Sequence, residues 1–178
     1  MPDGNEIEMR KEAKELLDKL TLDEKIGMIH GAELFRTAPV ERLGIPALTM
    51  SDGPMGVRQE FEPASWKSVG NHDDYVTYLP CNSALAATWN RGLAGLTGEV
   101  LGAEARGRGK DVILGPGVNI KRSPLCGRNF EYFSEDPFLT NEMAVPYIQG
   151  VQKWDVAACV KHFAANNQDT EAVGGCED

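Results

Sequence analysis

Three short apolar runs, Ala47–Met50, Val112–Leu114 and Val156–Val160, are separated by two stretches of helical periodicity, and this alternation constrains the chain more than any other feature. Short strands that are apolar on both sides belong to a parallel sheet covered by helices. Crossovers between parallel neighbours are right-handed in about 98% of cases, so all three strands point the same way. The first crossover helix is expected from Leu85 through Leu93, Leu96, Val100, Leu101 and Ala105, ending at Gly107 and Gly109. The second runs from Phe138 to Trp154 with Leu139, Met143, Tyr147 and Val151 on one face, opened by Asp136 as N-cap and Pro137 at the first helical position. The fold class is therefore α/β.

Ahead of the first strand lies a helical lead-in. Glu8–Leu20 reads as a surface helix whose buried stripe is Leu16, Leu17 and Leu20. Thr21 and Glu24 have the spacing of a capping box, and a second helix continues through Ile26 and Ile29 to stop near Gly31. Residues 1–45 are thus expected as the lead-in and residues 46–178 as three successive βα units.

Because parallel strands present their C-terminal ends along one rim, the residues that follow each strand are expected to meet there. After the first comes Asp52, inside the turn-forming segment Ser51–Gly56. After the second comes the loop Arg122–Pro137, which holds two guanidiniums, three aromatic rings and three carboxylates and includes Arg128. A loop that long and that aromatic reads as an ordered site. After the third stand Lys161 and His162. Taken alone, Asp52 also fits an Asx-turn and Lys161 a solvated surface lysine. Together they supply acceptors, a planar donor fork, a mobile cation and an imidazole, a set suited to vicinal hydroxyls that each donate and accept. A sugar is the expected ligand. Val57–Leu79, with Trp66, His72, Tyr75 and Tyr78, reads as a polar loop that is either a lid or an insertion.

A net charge of −9 over 178 residues disfavours a nucleic-acid partner, which needs a cationic field. No run of 18 apolar residues exists and the first residues lack the basic start and apolar stretch of a signal peptide, so no membrane partner is expected and the location is expected to be cytoplasmic. Cys81, Cys126, Cys159 and Cys176 form no C-x-x-C pair and read as reduced thiols, and no metal site is expected. Gly115 and Gly117 lack the third glycine of a dinucleotide fingerprint, and no cofactor is expected.

Leu22–Lys25, Ser51–Gly56, Leu85–Asn90, Gly115–Ile120, Gly127–Pro137 and Lys161–Gln168 together resemble glycoside hydrolase family 3, and within it the β-glucosidase branch. The resemblance covers about residues 15 to 168 in the family's order. It implies a TIM-type (β/α)8 barrel of which this chain is a part, retaining hydrolysis of terminal non-reducing β-D-glucosyl residues, and a sugar-gripping role for Asp52, Arg128, Lys161 and His162. The bacterial N-acetylhexosaminidase branch is disfavoured, because Lys161–Asn166 lacks that branch's Pro-Gly-His continuation. The family's nucleophile, an aspartate in a Ser-Asp-Trp or Thr-Asp-Trp context, does not follow the third strand, and the acid/base comes later still. Residues 170–178 also depart from the family pattern. No catalytic residue is therefore expected within the chain, which reads as an N-terminal fragment, inactive alone. Expected partners are a β-glucoside or oligosaccharide, the remainder of the enzyme, and other copies meeting through exposed strand edges. The alternative is a noncatalytic sugar-binding or regulatory module derived from such an enzyme.

Overall fold

A computed structural model describes residues 4–70 and 75–167, so His72, Cys176 and the divergent ending lie outside the described residues. The chain divides into two compact units, one comprising Met1–Leu48 with Pro63–Ser65 and the other Thr49–Glu62 with Trp66–Asp178.

In the first unit, α1 (Gly4–Lys19) is largely exposed, with Leu16 half-buried and Leu17 open to solvent. Thr21 caps α2 (Leu22–Met28) through the capping box read from the sequence: Glu24 N donates to Thr21 Oγ1 at 3.3 Å and Thr21 N to Glu24 Oε2 at 2.8 Å. The Arg42 guanidinium grips the same carboxylate with two nitrogens and holds it down to about 2. A small antiparallel pair, β1 (Gly31–Glu33) and β2 (Arg36–Thr37), follows.

The second unit carries the expected parallel sheet, ordered β3 (Met50–Asp52), β4 (Val112–Leu114), β5 (Ala157–Ala158). Its register sets Met50 against Val112 and Asp52 against Leu114, then Val112 against Ala157. Thr49 staples the sheet at its start, its backbone N–H and hydroxyl both donating to Asp111 Oδ2. The first strand thus begins three residues later than its apolar run suggests and includes Asp52 itself. Pairing with β4 decides where the strand lies, not hydrophobicity alone.

The first crossover is two helices rather than one. Between α3 (Asn82–Ala87) and α4 (Arg91–Gly107), Trp89 adopts φ 55, and the Asn90 side chain caps α4 by accepting from Gly92 N and Leu93 N. An asparagine side chain that satisfies two otherwise unpaired N–H groups makes a better helix start than a continuation. The buried face of α4 also differs from the leucine stripe: Ala94, Thr97, Gly98, Leu101, Gly102 and Ala105 are buried, whereas Leu93 and Leu96 are exposed. The reason is close approach to α5 (Pro137–Gln152). A Cβ on Gly98 would stand 2.0 Å from the Tyr147 carbonyl, and one on Gly150 would stand 2.3 Å from the Gly95 carbonyl. Glycine lets the two backbones touch, so the small face turns inward and Leu93 and Leu96 outward. On α5 the predicted stripe is the core-facing one: Met143, Tyr147 and Val151 are fully buried alongside Leu101 and Ile113.

Gly98→Ala is expected to destabilise the unit by about 3 kcal/mol or more, because the new methyl meets backbone that has no room to relax. Urea denaturation with an unchanged midpoint would contradict this helix contact.

Candidate functional site

The turn after β3 is shaped by Gly53, at φ +118, where any Cβ would stand 1.8 Å from the Gly56 carbonyl. It is tied from behind by the buried Tyr147 hydroxyl, which donates to the Pro54 carbonyl at 2.8 Å; burial pushes that phenol far up. These two features fix the direction in which Asp52 leaves the strand. At the other edge, the β4–β5 ladder continues past the strands: Lys161 N donates to Pro116 O at 3.1 Å and Val118 N to Lys161 O at 2.8 Å. Backbone pairing therefore aims Lys161 along the same rim.

There the side chains meet. Lys161 Nζ donates to Asp52 Oδ1 at 2.7 Å across 109 residues of sequence, and stands 3.6 Å from Glu131 Oε2. Glu131, buried, also accepts from Arg128 Nε. Arg128 Nη2 reaches His162 Nε2 at 2.6 Å. Because a guanidinium only donates, that contact makes Nε2 the acceptor and leaves the ring proton on Nδ1, which donates to Tyr132 Oη at 2.9 Å. Asn166 Nδ2 donates to the same phenol at 2.7 Å. Behind His162 the Asn119 amide accepts from the residue's backbone N–H at 2.7 Å and donates to its carbonyl at 3.1 Å. The result is one continuous chain of polar contacts from Asp52 to Asn166.

Asp52, Arg128 and Lys161 line a hollow of 460 Å³ together with Glu131, Arg58 and Tyr78. His162 lines a neighbouring one of 400 Å³ with Asn119 and Arg122, and joins the first through its contact with Arg128. Two charged members of the first hollow, Arg58 and Glu131, were not picked out from the sequence. Arg58 lies six residues beyond Asp52 in the polar loop, yet its Nη1 donates to Asp52 Oδ2 at 3.1 Å. Glu131 is one of three carboxylates in the long loop, and only its pairing with two cations distinguishes it.

Electrostatics set the protonation states. Burial pushes the Asp52 carboxyl up, but the hydrogen bond and charge of Lys161, the Gly53 amide and the Arg58 charge outweigh it and leave the group below its ordinary value. Burial, then the charges of Arg128 and Lys161, hold the His162 imidazole down, so it is neutral and can accept from Arg128. The hollow thus offers an ionised acceptor beside three cationic donors. Among the described residues, no group of three or more His, Cys, Asp or Glu side chains is placed to hold a metal ion.

Residues 21–177 match the sequence profile of the glycosyl hydrolase family 3 N-terminal domain, which runs past residue 168, where the motif likeness stops. Over 169 residues the chain is 51% identical to a β-glucosidase of Bacteroides ovatus, covering 95% of this chain and 22% of that protein. It is 48% identical over 161 residues to a thermostable β-glucosidase B of Acetivibrio thermocellus, covering 90% of this chain and 21% of that one. In fold it is similar to β-glucosidase 3B of Thermotoga neapolitana, solved in complex with α-D-glucose, with a TM-score of 0.78 and 42% identity over 88% of this chain and 24% of that one. The chain therefore spans about a fifth of the length of the curated relatives it matches.

Both downward shifts have the same consequence on acidification. The unfolded chain takes up a proton on its histidine as pH falls through 6.5 and on its aspartate as pH falls through 3.8, while folded His162 and Asp52 resist. Stability is accordingly lost in two steps as pH drops from each ordinary value to the lower folded one. In Lys161→Met the main charge that draws Asp52 down is gone, so the Asp52 carboxyl is expected to titrate at higher pH by NMR and the lower step to shrink. An unchanged Asp52 titration in that variant would refute the pairing.

Proposed function

The chain belongs to the glycosyl hydrolase family 3 N-terminal domain family, and we propose that its polar hollow holds the terminal sugar of a β-linked glucoside in a β-glucosidase-like active site. The observation that carries this reading is the Lys161–Asp52 pair at the centre of a compensated charge array. Burial alone raises the pKa of a carboxylate in a half-buried hollow; beside Lys161 and Arg58 that push is outweighed and Asp52 stays ionised. A sugar hydroxyl can then donate to Asp52 while its oxygen accepts from Lys161 or a guanidinium. Vicinal hydroxyls repeat that two-way demand, and the alternation of acceptor and donor along Asp52, Lys161, Glu131 and Arg128 meets it. That relatives about half identical to the chain are β-glucosidases supports glucose as the sugar.

The hydrolytic step itself needs a nucleophilic carboxylate and a second carboxyl that delivers a proton, about 5 Å apart in retaining enzymes. Asp52 and Glu131 do not fill those roles in this reading. Asp52 is held ionised and cannot act as the acid, and both oxygens of Glu131 are engaged by Arg128 and Lys161. We assign the 178 residues to gripping the sugar, with the reacting carboxylates supplied from outside them.

Calorimetric titration of the folded chain with glucose or glucono-1,5-lactone is expected to give one-site binding. Asp52→Asn should weaken it by roughly tenfold to a hundredfold, the scale of losing a charge-assisted hydrogen bond. With 4-nitrophenyl β-glucoside the chain alone should release no nitrophenol. Binding insensitive to Asp52 would overturn the assignment of the hollow, and turnover would overturn the division of labour.

A further inference from the structure

Arg58 is held more firmly than its place in a polar loop would suggest. Its backbone N–H donates both to Ser51 Oγ at 3.0 Å and to the Asp52 carbonyl at 3.1 Å, so its Cα is fixed against β3. Its guanidinium carbon then lies 5.0 Å from the centre of the Phe61 ring and 5.1 Å from that of Trp66. The two rings meet edge to face, with centroids 5.6 Å apart and planes at 73°, and so form a corner. That corner is built by antiparallel pairing: Glu62 N donates to Lys67 O, Val69 N donates to Glu60 O, and Phe61 stands opposite Ser68. Lys110 pairs with Glu60 of this segment at 2.7 Å.

A guanidinium is attracted to the faces of aromatic rings, and its planar fork still presents N–H donors along its edge. Here one donor is spent on Asp52 Oδ2, and Arg58 lines the same hollow as Lys161 and Arg128. Without the rings, a long flexible side chain at this half-open position would sample many rotamers and meet Asp52 only part of the time. We propose that Phe61 and Trp66 are positioning residues, a two-ring clamp that aims Arg58 across Asp52 and into the hollow, where it donates to a hydroxyl of the bound sugar. This rests on the sugar reading above and adds to it a positioning device outside the strand ends, Phe61 and Trp66, that sets affinity through Arg58.

The test is calorimetric titration with glucose of the unaltered chain and four variants. Trp66→Ala and Phe61→Ala are each expected to weaken binding roughly three- to tenfold, the range of a cation–ring contact. Trp66→Phe, which keeps a ring face, should restore most of the affinity. Lys67→Ala, which breaks the ion pair to Glu62 on the same segment while leaving both rings in place, should bind as the unaltered chain does. Two results overturn the clamp alone: alanine variants that bind glucose undiminished, or Trp66→Phe and Lys67→Ala losing as much as Trp66→Ala. An unaltered chain that takes up no glucose overturns the sugar reading, and the clamp's role falls with it.

Discussion

Lys161 stands between two carboxylates drawn from distant parts of the chain, and the geometry of the hollow depends on that arrangement. Removing ionised groups from water is costly, and a nearby cation offsets that cost for a partly buried carboxylate. Asp52 ends one strand, Glu131 lies in a loop nearly eighty residues later, and a single ammonium 2.7 and 3.6 Å from their oxygens compensates both. Such pairs contribute little net stability once desolvation is counted. Their effect is directional: each partner loses its reason to be there if either of the others points elsewhere. The same logic passes outward through Arg128, which shares Glu131 with Lys161 and then gives a donor to His162.

That charge array could not hold its shape without a stiff frame, and the frame comes from backbone. The ladder that joins β4 to β5 runs on through Pro116, Val118 and Lys161, so the lysine is placed by main-chain hydrogen bonds before its side chain makes any contact. The glycine-lined contact of α4 with α5 brings two helices to backbone distance and buries Tyr147 completely. Three short strands cannot supply much rigidity by themselves. The helix pair behind them does, through a core of Leu101, Ile113, Met143 and Val151.

Much of this was legible in the sequence, for identifiable reasons. Asp52 and Lys161 could be found because each follows an apolar run, and strand ends in a parallel sheet share a rim. The α5 stripe and both caps, Thr21 and Asp136, were readable because local hydrogen-bonding chemistry specifies them. The break at Trp89 and Asn90 was hidden, since Ala-rich residues on one side and leucines on the other keep a helical rhythm across it. The burial of α4 was misread because leucine outweighs glycine in any hydrophobicity pattern, whereas here the absence of side chains is what permits contact. Arg58 and Glu131 escaped for a different reason. Each is an ordinary charged residue in a charged loop, and only partners far away in the chain distinguish it. His162 was expected on the same wall as the others, and it reaches them by way of Arg128 while facing the adjoining hollow.

The hydrogen bond from Tyr147 to the Pro54 carbonyl joins the inner face of a helix to the floor of the hollow, and it makes the two sides of the sheet answer to each other. A phenol locked in the deepest layer cannot shift without dragging or abandoning the bend that orients Asp52. Changes accumulating on the inward side of α5 would therefore register as an altered orientation of Asp52 at the surface. Evolutionary or engineered tuning of the hollow's geometry in such a chain has a hidden handle in its hydrophobic interior.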